Sequence, residues 1–112
     1  MIERDRLFLA HIAEAIERIE RFTADGRAAF MADEKTQSAV LRQLEIIGEA
    51  AKRISGSLKG SAADIPWREI AATRDRLIHG YFSVKLEIVW NVVARDLVGL
   101  KRRVADLLAG GG

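Results

Sequence analysis

Within eight residues, the segment Arg74-Asp75-Arg76-Leu77-Ile78-His79-Gly80-Tyr81 concentrates side chains whose chemistry goes beyond packing. A histidine moves protons near neutral pH because its unperturbed pKa is about 6.5. An arginine carries a permanent positive charge on a fixed fork of donors that matches phosphate oxygens. Together they suit reactions in which a hydroxyl proton is removed and charge builds up on a phosphate. Spacing constrains how they cooperate. On an ideal helix, residues five apart point about 140° away from each other, at about 100° per residue. Arg74 and His79 therefore do not share one face of a straight helix, whereas Asp75 and His79, four apart, do. Asp75 is expected to orient the imidazole and favour its charged form, with Arg74 reaching an anion from one side. The plainer reading makes Arg74 a surface residue and His79 a helix-terminal cation favoured by the helix dipole.

Other candidates are weaker. Glu45 and Glu49 lie four apart beside Gly48. One of them can hold Arg74 in place, or Glu49 can simply pair with Arg53 four residues on. Glu45 fits the plain reading better, and Glu49 fits either. His11 sits on an apolar stripe with no second histidine or carboxylate at matching spacing, so a core or border role is expected and a metal site is not. Trp67 and Trp90 fall at core spacing. Lys101, Arg102 and Arg103 form a basic cluster that reads as a solvated face or dipole complement, with steering of a polyanion as the alternative. The chain has no cysteine, which removes thiolate catalysis and disulfides from consideration.

The elements that must position these residues are helices. Leu7, Phe8, His11, Ile12, Ala15, Ile16, Ile19 and Phe22 recur at three- and four-residue steps, predicting a helix over about residues 2 to 23 that ends at Asp25-Gly26. A short helical turn is expected around Ala28 to Met31. A second long helix follows over about 34 to 55, with Val40, Leu41, Leu44, Ile47, Ala51 and Ile54 inward. Gly48 interrupts it at a cost of about 1 kcal/mol relative to alanine, tolerable if another helix backbone comes close. Gly56, Ser57, Gly60 and Ser61 read as a loop. Pro66 opens a third helix over about 66 to 79, stopped by Gly80. A continuous last helix is expected over about 86 to 108. The expected fold is all-α, an up-and-down four-helix bundle with one short extra turn, forming a single domain over residues 1–109 with a disordered tail at 110–112.

Beyond the octapeptide, three more blocks stand in order: Leu44-Glu45-Ile46-Ile47-Gly48-Glu49-Ala50-Ala51-Lys52, Ile65-Pro66-Trp67-Arg68-Glu69-Ile70 and Leu86-Glu87-Ile88-Val89-Trp90. With the arginine–histidine–tyrosine motif they cover most of the chain, which resembles the HEPN superfamily and specifically its HepT-like toxins. The resemblance implies an endoribonuclease that works without metal or other cofactor. In such an enzyme the RNA's own 2′-hydroxyl attacks the phosphate and leaves a 2′,3′-cyclic product. It also implies a homodimer whose composite site brings Arg74 and His79 of both protomers to one cleft. That arrangement fits a chain offering one histidine in the motif, since acid and base roles are most simply filled by two groups. Finally it implies a cognate nucleotidyltransferase antitoxin that adds AMP to Tyr81. Tyr81 is equally readable as a packed turn aromatic. The chain departs from the family's usual aspartate at Lys85, which opens the last helix and loses an N-cap worth about 1 kcal/mol unless Ser83 substitutes.

Bulk properties are compatible with this but do not argue for it. A net charge of +2, from 18 basic and 16 acidic residues, is too mild to announce nucleic-acid binding. No apolar run approaches the roughly 20 residues that span a bilayer, and the charged start Glu3-Arg4-Asp5-Arg6 is unlike a secretion signal, so a cytoplasmic location without membrane contact is expected. Two rivals remain at this level: a non-catalytic helical subunit of a nucleotidyltransferase complex, and a purely structural helical dimer.

Overall fold

The computed structural model describes residues 1–79 and 85–110, with Ile78 and His79 described through their backbone. Its helices are α1 (Glu3–Phe22), α2 (Arg27–Ala32), α3 (Glu34–Arg53), α4 (Gly56–Ser61), α5 (Trp67–His79), α6 (Leu86–Asn91) and α7 (Leu97–Leu108), with a π-helical turn at Val92–Asp96 between the last two. Among the described residues there is no strand, and none of their helices is long and apolar enough to cross a membrane.

The predicted stripes of α1 and α3 face each other. Leu9, Ile12, Ile16 and Ile19 meet a wall containing Val40, Leu44, Ile47 and Ala51, all buried. α3 packs on α1 along one side and on α5 along the other, while α7 lies against α1. Leu7 and Phe22, assigned to the stripe from spacing, stand 53% and 40% exposed at its margins.

Local chemistry explains the helix starts. Asp33 caps α3, one carboxylate oxygen accepting from the Lys35 N–H at 3.2 Å and the other from the Thr36 hydroxyl at 2.7 Å. Gly26, at φ 92°, takes the left-handed turn that separates α1 from α2. The Pro66 carbonyl accepts from the Ile70 N–H at 3.0 Å, so Pro66 immediately precedes α5 rather than lying within it.

Two expectations need correction. The glycine–serine stretch read as a loop is helix α4. Ser55 caps it by accepting from the Leu58 N–H at 3.2 Å, and Leu58 is buried beneath it. The same Ser55 is held by Asp5 of α1, which is only 2% exposed and accepts from the Ser55 N–H at 2.8 Å and from its hydroxyl. Deleting that carboxylate would leave a part-buried donor unpaired, a loss of about 1 kcal/mol. The second correction is the last helix, which is not one uninterrupted α-helix. The π turn inserts one extra residue, offsetting the faces of α6 and α7 by about 100°, and none of its five residues is fully buried.

Lys85 occupies the N-cap of α6 with no side-chain oxygen to offer, as expected for the departure there. Ser83, its possible substitute, and Tyr81 lie outside the described residues. At the C-terminus, Gly110 at φ 88° donates its N–H to the Leu107 carbonyl at 3.1 Å and closes α7. The rest of the expected tail, residues 111–112, is outside the description.

Candidate active site

The site is organised by a close helix crossing. Where α5 passes over α3, a Cβ placed on Gly48 would lie 2.1 Å from the Arg74 Cβ and 3.2 Å from the Ile70 carbonyl oxygen. Only a residue without a side chain permits that approach. The mid-helix glycine thus has the anticipated explanation, and the residue it seats is Arg74.

The Arg74 guanidinium is held on both sides. Its Nη2 lies 2.9 Å from Glu49 Oε2, and its Nη1 donates to Asp75 Oδ1 at 3.3 Å. Glu49 serves both of its proposed partners, since its other oxygen lies 3.0 Å from Arg53 Nη2. Glu45 pairs with Arg42 at 3.3 Å, the plain intrahelical reading. Asp75 also accepts from Lys52 Nζ at 2.8 Å, a partner that spacing within one helix had no means of revealing. The Lys52 hydrogen bond, reinforced by Arg74, holds the Asp75 carboxyl below its ordinary range against the opposing effect of desolvation.

Arg74, Asp75 and Glu49 are therefore brought together. His79 ends α5, one turn beyond Asp75 along the helix, and its side chain lies outside the described residues, as does Tyr81. The local arrangement sets three cations, Lys52, Arg53 and Arg74, against two carboxylates, Glu49 and Asp75. It orients a guanidinium whose side chain is 27% exposed and which retains donors for an incoming oxyanion.

Elsewhere the plain readings prevail. Trp67 is buried and donates its indole N–H to the Ala62 carbonyl at 3.1 Å. Trp90 packs against Phe30 with ring centroids 5.5 Å apart. Lys101 pairs with Glu20 and Arg103 with Asp64, tying α7 to α1 and to the α4–α5 connection. His11 is the exception: expected at the core or its border, it is exposed, and its ring stands edge-on to Phe8 at 5.7 Å.

The family model described as Ribonuclease HepT-like matches residues 12–107, taking in the Gly48–Arg74 crossing and the whole motif. The chain belongs to the HepT-like family. Over 101 residues it is 48% identical to a protein of Thermococcus cleftensis named "Probable ribonuclease HepT", covering 89% of this chain and 92% of that one. It is 43% identical over 104 residues to a "Putative RNase" of Methanocaldococcus jannaschii, covering 92% and 86%. A third relative from the same archaeon, named a gamma-glutamylcyclotransferase and putative RNase, is 39% identical over 104 residues, and the HepT-like chain spans 47% of its length. No solved structure matches.

Proposed function

We propose that this HepT-like protein is a toxin that cuts RNA in the cytoplasm without a metal ion and acts as a homodimer. The observation that carries this reading is the seating of Arg74. A glycine at the helix crossing and a carboxylate from the neighbouring helix fix a guanidinium within a family whose relatives are named ribonucleases. In the proposed step, one His79 accepts the proton of the RNA 2′-hydroxyl. The freed oxygen attacks the adjacent phosphorus, and the bond to the 5′-oxygen breaks. The partner protomer's histidine at the same position protonates that leaving oxygen, giving a 2′,3′-cyclic phosphate and a 5′-hydroxyl. Arg74 stabilises the charge that accumulates on the phosphorane oxygens, where pre-placed donors are most effective. Asp75 and Glu49 keep the cationic side chains oriented.

Control is assigned to a cognate nucleotidyltransferase antitoxin that transfers AMP to Tyr81. The added nucleotide, bulky and negatively charged, would occupy the phosphate site and neutralise the arginine beside it.

The test compares wild type with His79→Ala for growth arrest and for cleavage of purified RNA. Loss of proton transfer is expected to slow cleavage by about 10²- to 10⁴-fold. A variant as toxic and as nucleolytic as wild type contradicts the assignment, and wild-type protein that leaves RNA whole contradicts the enzyme. Mass analysis of the Tyr81 peptide after co-expression with the antitoxin should show the added AMP.

A further inference from the structure

A groove opens beside Arg74 along the α1–α3 seam. Phe8 and His11 of α1 form one wall, Ile46 and Ala50 the floor, and Arg53 and Arg74 the end. Three arginines, Arg42, Arg53 and Arg74, line it against two carboxylates, Glu45 and Glu49. Glu45 pairs with Arg42, and Glu49 gives one oxygen each to Arg53 and Arg74, at 3.0 and 2.9 Å. Each guanidinium has five N–H donors in a rigid plane, so Glu49 on Arg53, and Glu49 with Asp75 on Arg74, leave donors for another acceptor. The wall is aromatic. The Arg53 guanidinium lies 5.8 Å from the centre of the Phe8 ring, and the exposed His11 ring meets Phe8 at an interplanar angle of 82°. An aromatic wall beside guanidiniums with donors to spare is the pairing by which single-stranded nucleic acid is held without reading sequence: phosphate on the cations, base on the ring.

We propose that this groove binds the nucleotide next to the scissile phosphate of a single-stranded RNA, its phosphate on Arg53 and its base against His11 and Phe8. The proposal rests on the ribonuclease reading. It adds that the strand leaves the catalytic arginine along α1 and α3, and that His11 is a substrate-binding residue.

The test uses the full-length His79→Ala protein and a short fluorescein-labelled single-stranded oligoribonucleotide, with His11→Ala, Arg53→Gln and, for comparison, Arg102→Gln on α7 added singly. Thermal melts establish that each variant is folded. His11→Ala is expected to weaken binding at least about five-fold, the smallest loss typical of one base stack. Arg53→Gln is expected to flatten the dependence of log Kd on log salt by about 0.7, the share of one phosphate on a single strand, and to weaken binding more than Arg102→Gln does. If wild-type protein cleaves RNA while the groove variants bind no worse than Arg102→Gln, the groove is not the strand's path and the ribonuclease reading stands. If wild type neither binds nor cleaves RNA, both proposals fall.

Discussion

At the residue scale, Asp75 links α5 to α3. Lys52 on α3 and Arg74 beside it both bind its carboxylate, and the Lys52 contact chiefly lowers its pKa on folding. Because the folded value lies below the unfolded one, the unfolded chain takes up the proton first as pH falls. The stabilisation is therefore present in full above the unfolded carboxylate value of about 3.9, and disappears as pH drops through the folded value. The difference in urea midpoint between wild type and Asp75→Asn is accordingly expected at pH 7 and should narrow below about pH 4. A difference that persists unchanged in acid would show that the substitution acts by another route. Asp75 was legible from its position four residues before His79. Lys52 as the partner was not, because twenty-three positions separate it from Asp75 and only the α3–α5 crossing joins them.

At the element scale, the crossing depends on Gly48. A methyl group there meets the Arg74 Cβ at 2.1 Å, and neither group is the loose end of a flexible chain, so one helix must move. Overpacking of this kind costs about 1–3 kcal/mol, against which alanine returns up to about 1 kcal/mol of helix propensity. Gly48→Ala is expected to lower stability by about 1 kcal/mol, measured by urea denaturation. RNA cleavage should fall more steeply than stability, because the displaced group is the arginine proposed to bind phosphate. A variant as stable and active as wild type would show that the helices adjust without moving the site. Helix α4 and the π turn were missed at this scale for different reasons. Glycine and serine composition concealed a short helix that a buried Leu58 and the Ser55 cap stabilise. An apolar pattern compatible with a regular helix concealed a single inserted residue.

For the whole molecule, the proposed mechanism needs two chains. The prediction is that the protein sediments as a dimer of 12.4 kDa chains and that two inactive variants complement each other. Arg74→Ala homodimers lack every catalytic arginine and His79→Ala homodimers lack every catalytic histidine. Co-expressed heterodimers would retain one of each in the shared cleft and should regain partial RNA cleavage. Purified heterodimers with no activity beyond the two parents would show that one histidine and one arginine from different protomers do not suffice, and a protein that sediments as a monomer would exclude the composite cleft.

From its sequence alone the chain was readable as all-helical, with the positions of its long helices and the glycine turn that closes the first. These depend on local periodicity, turn propensities and side-chain type, all set by near neighbours along the chain. The tertiary structure decided that Gly48 seats Arg74, that Glu49 divides its carboxylate between two arginines and that Asp5 reaches across to Ser55. The Gly48–Arg74, Glu49–Arg74 and Asp5–Ser55 contacts join residues of different elements, and such contacts depend on how the helices pack against one another, which no pattern within a single helix encodes.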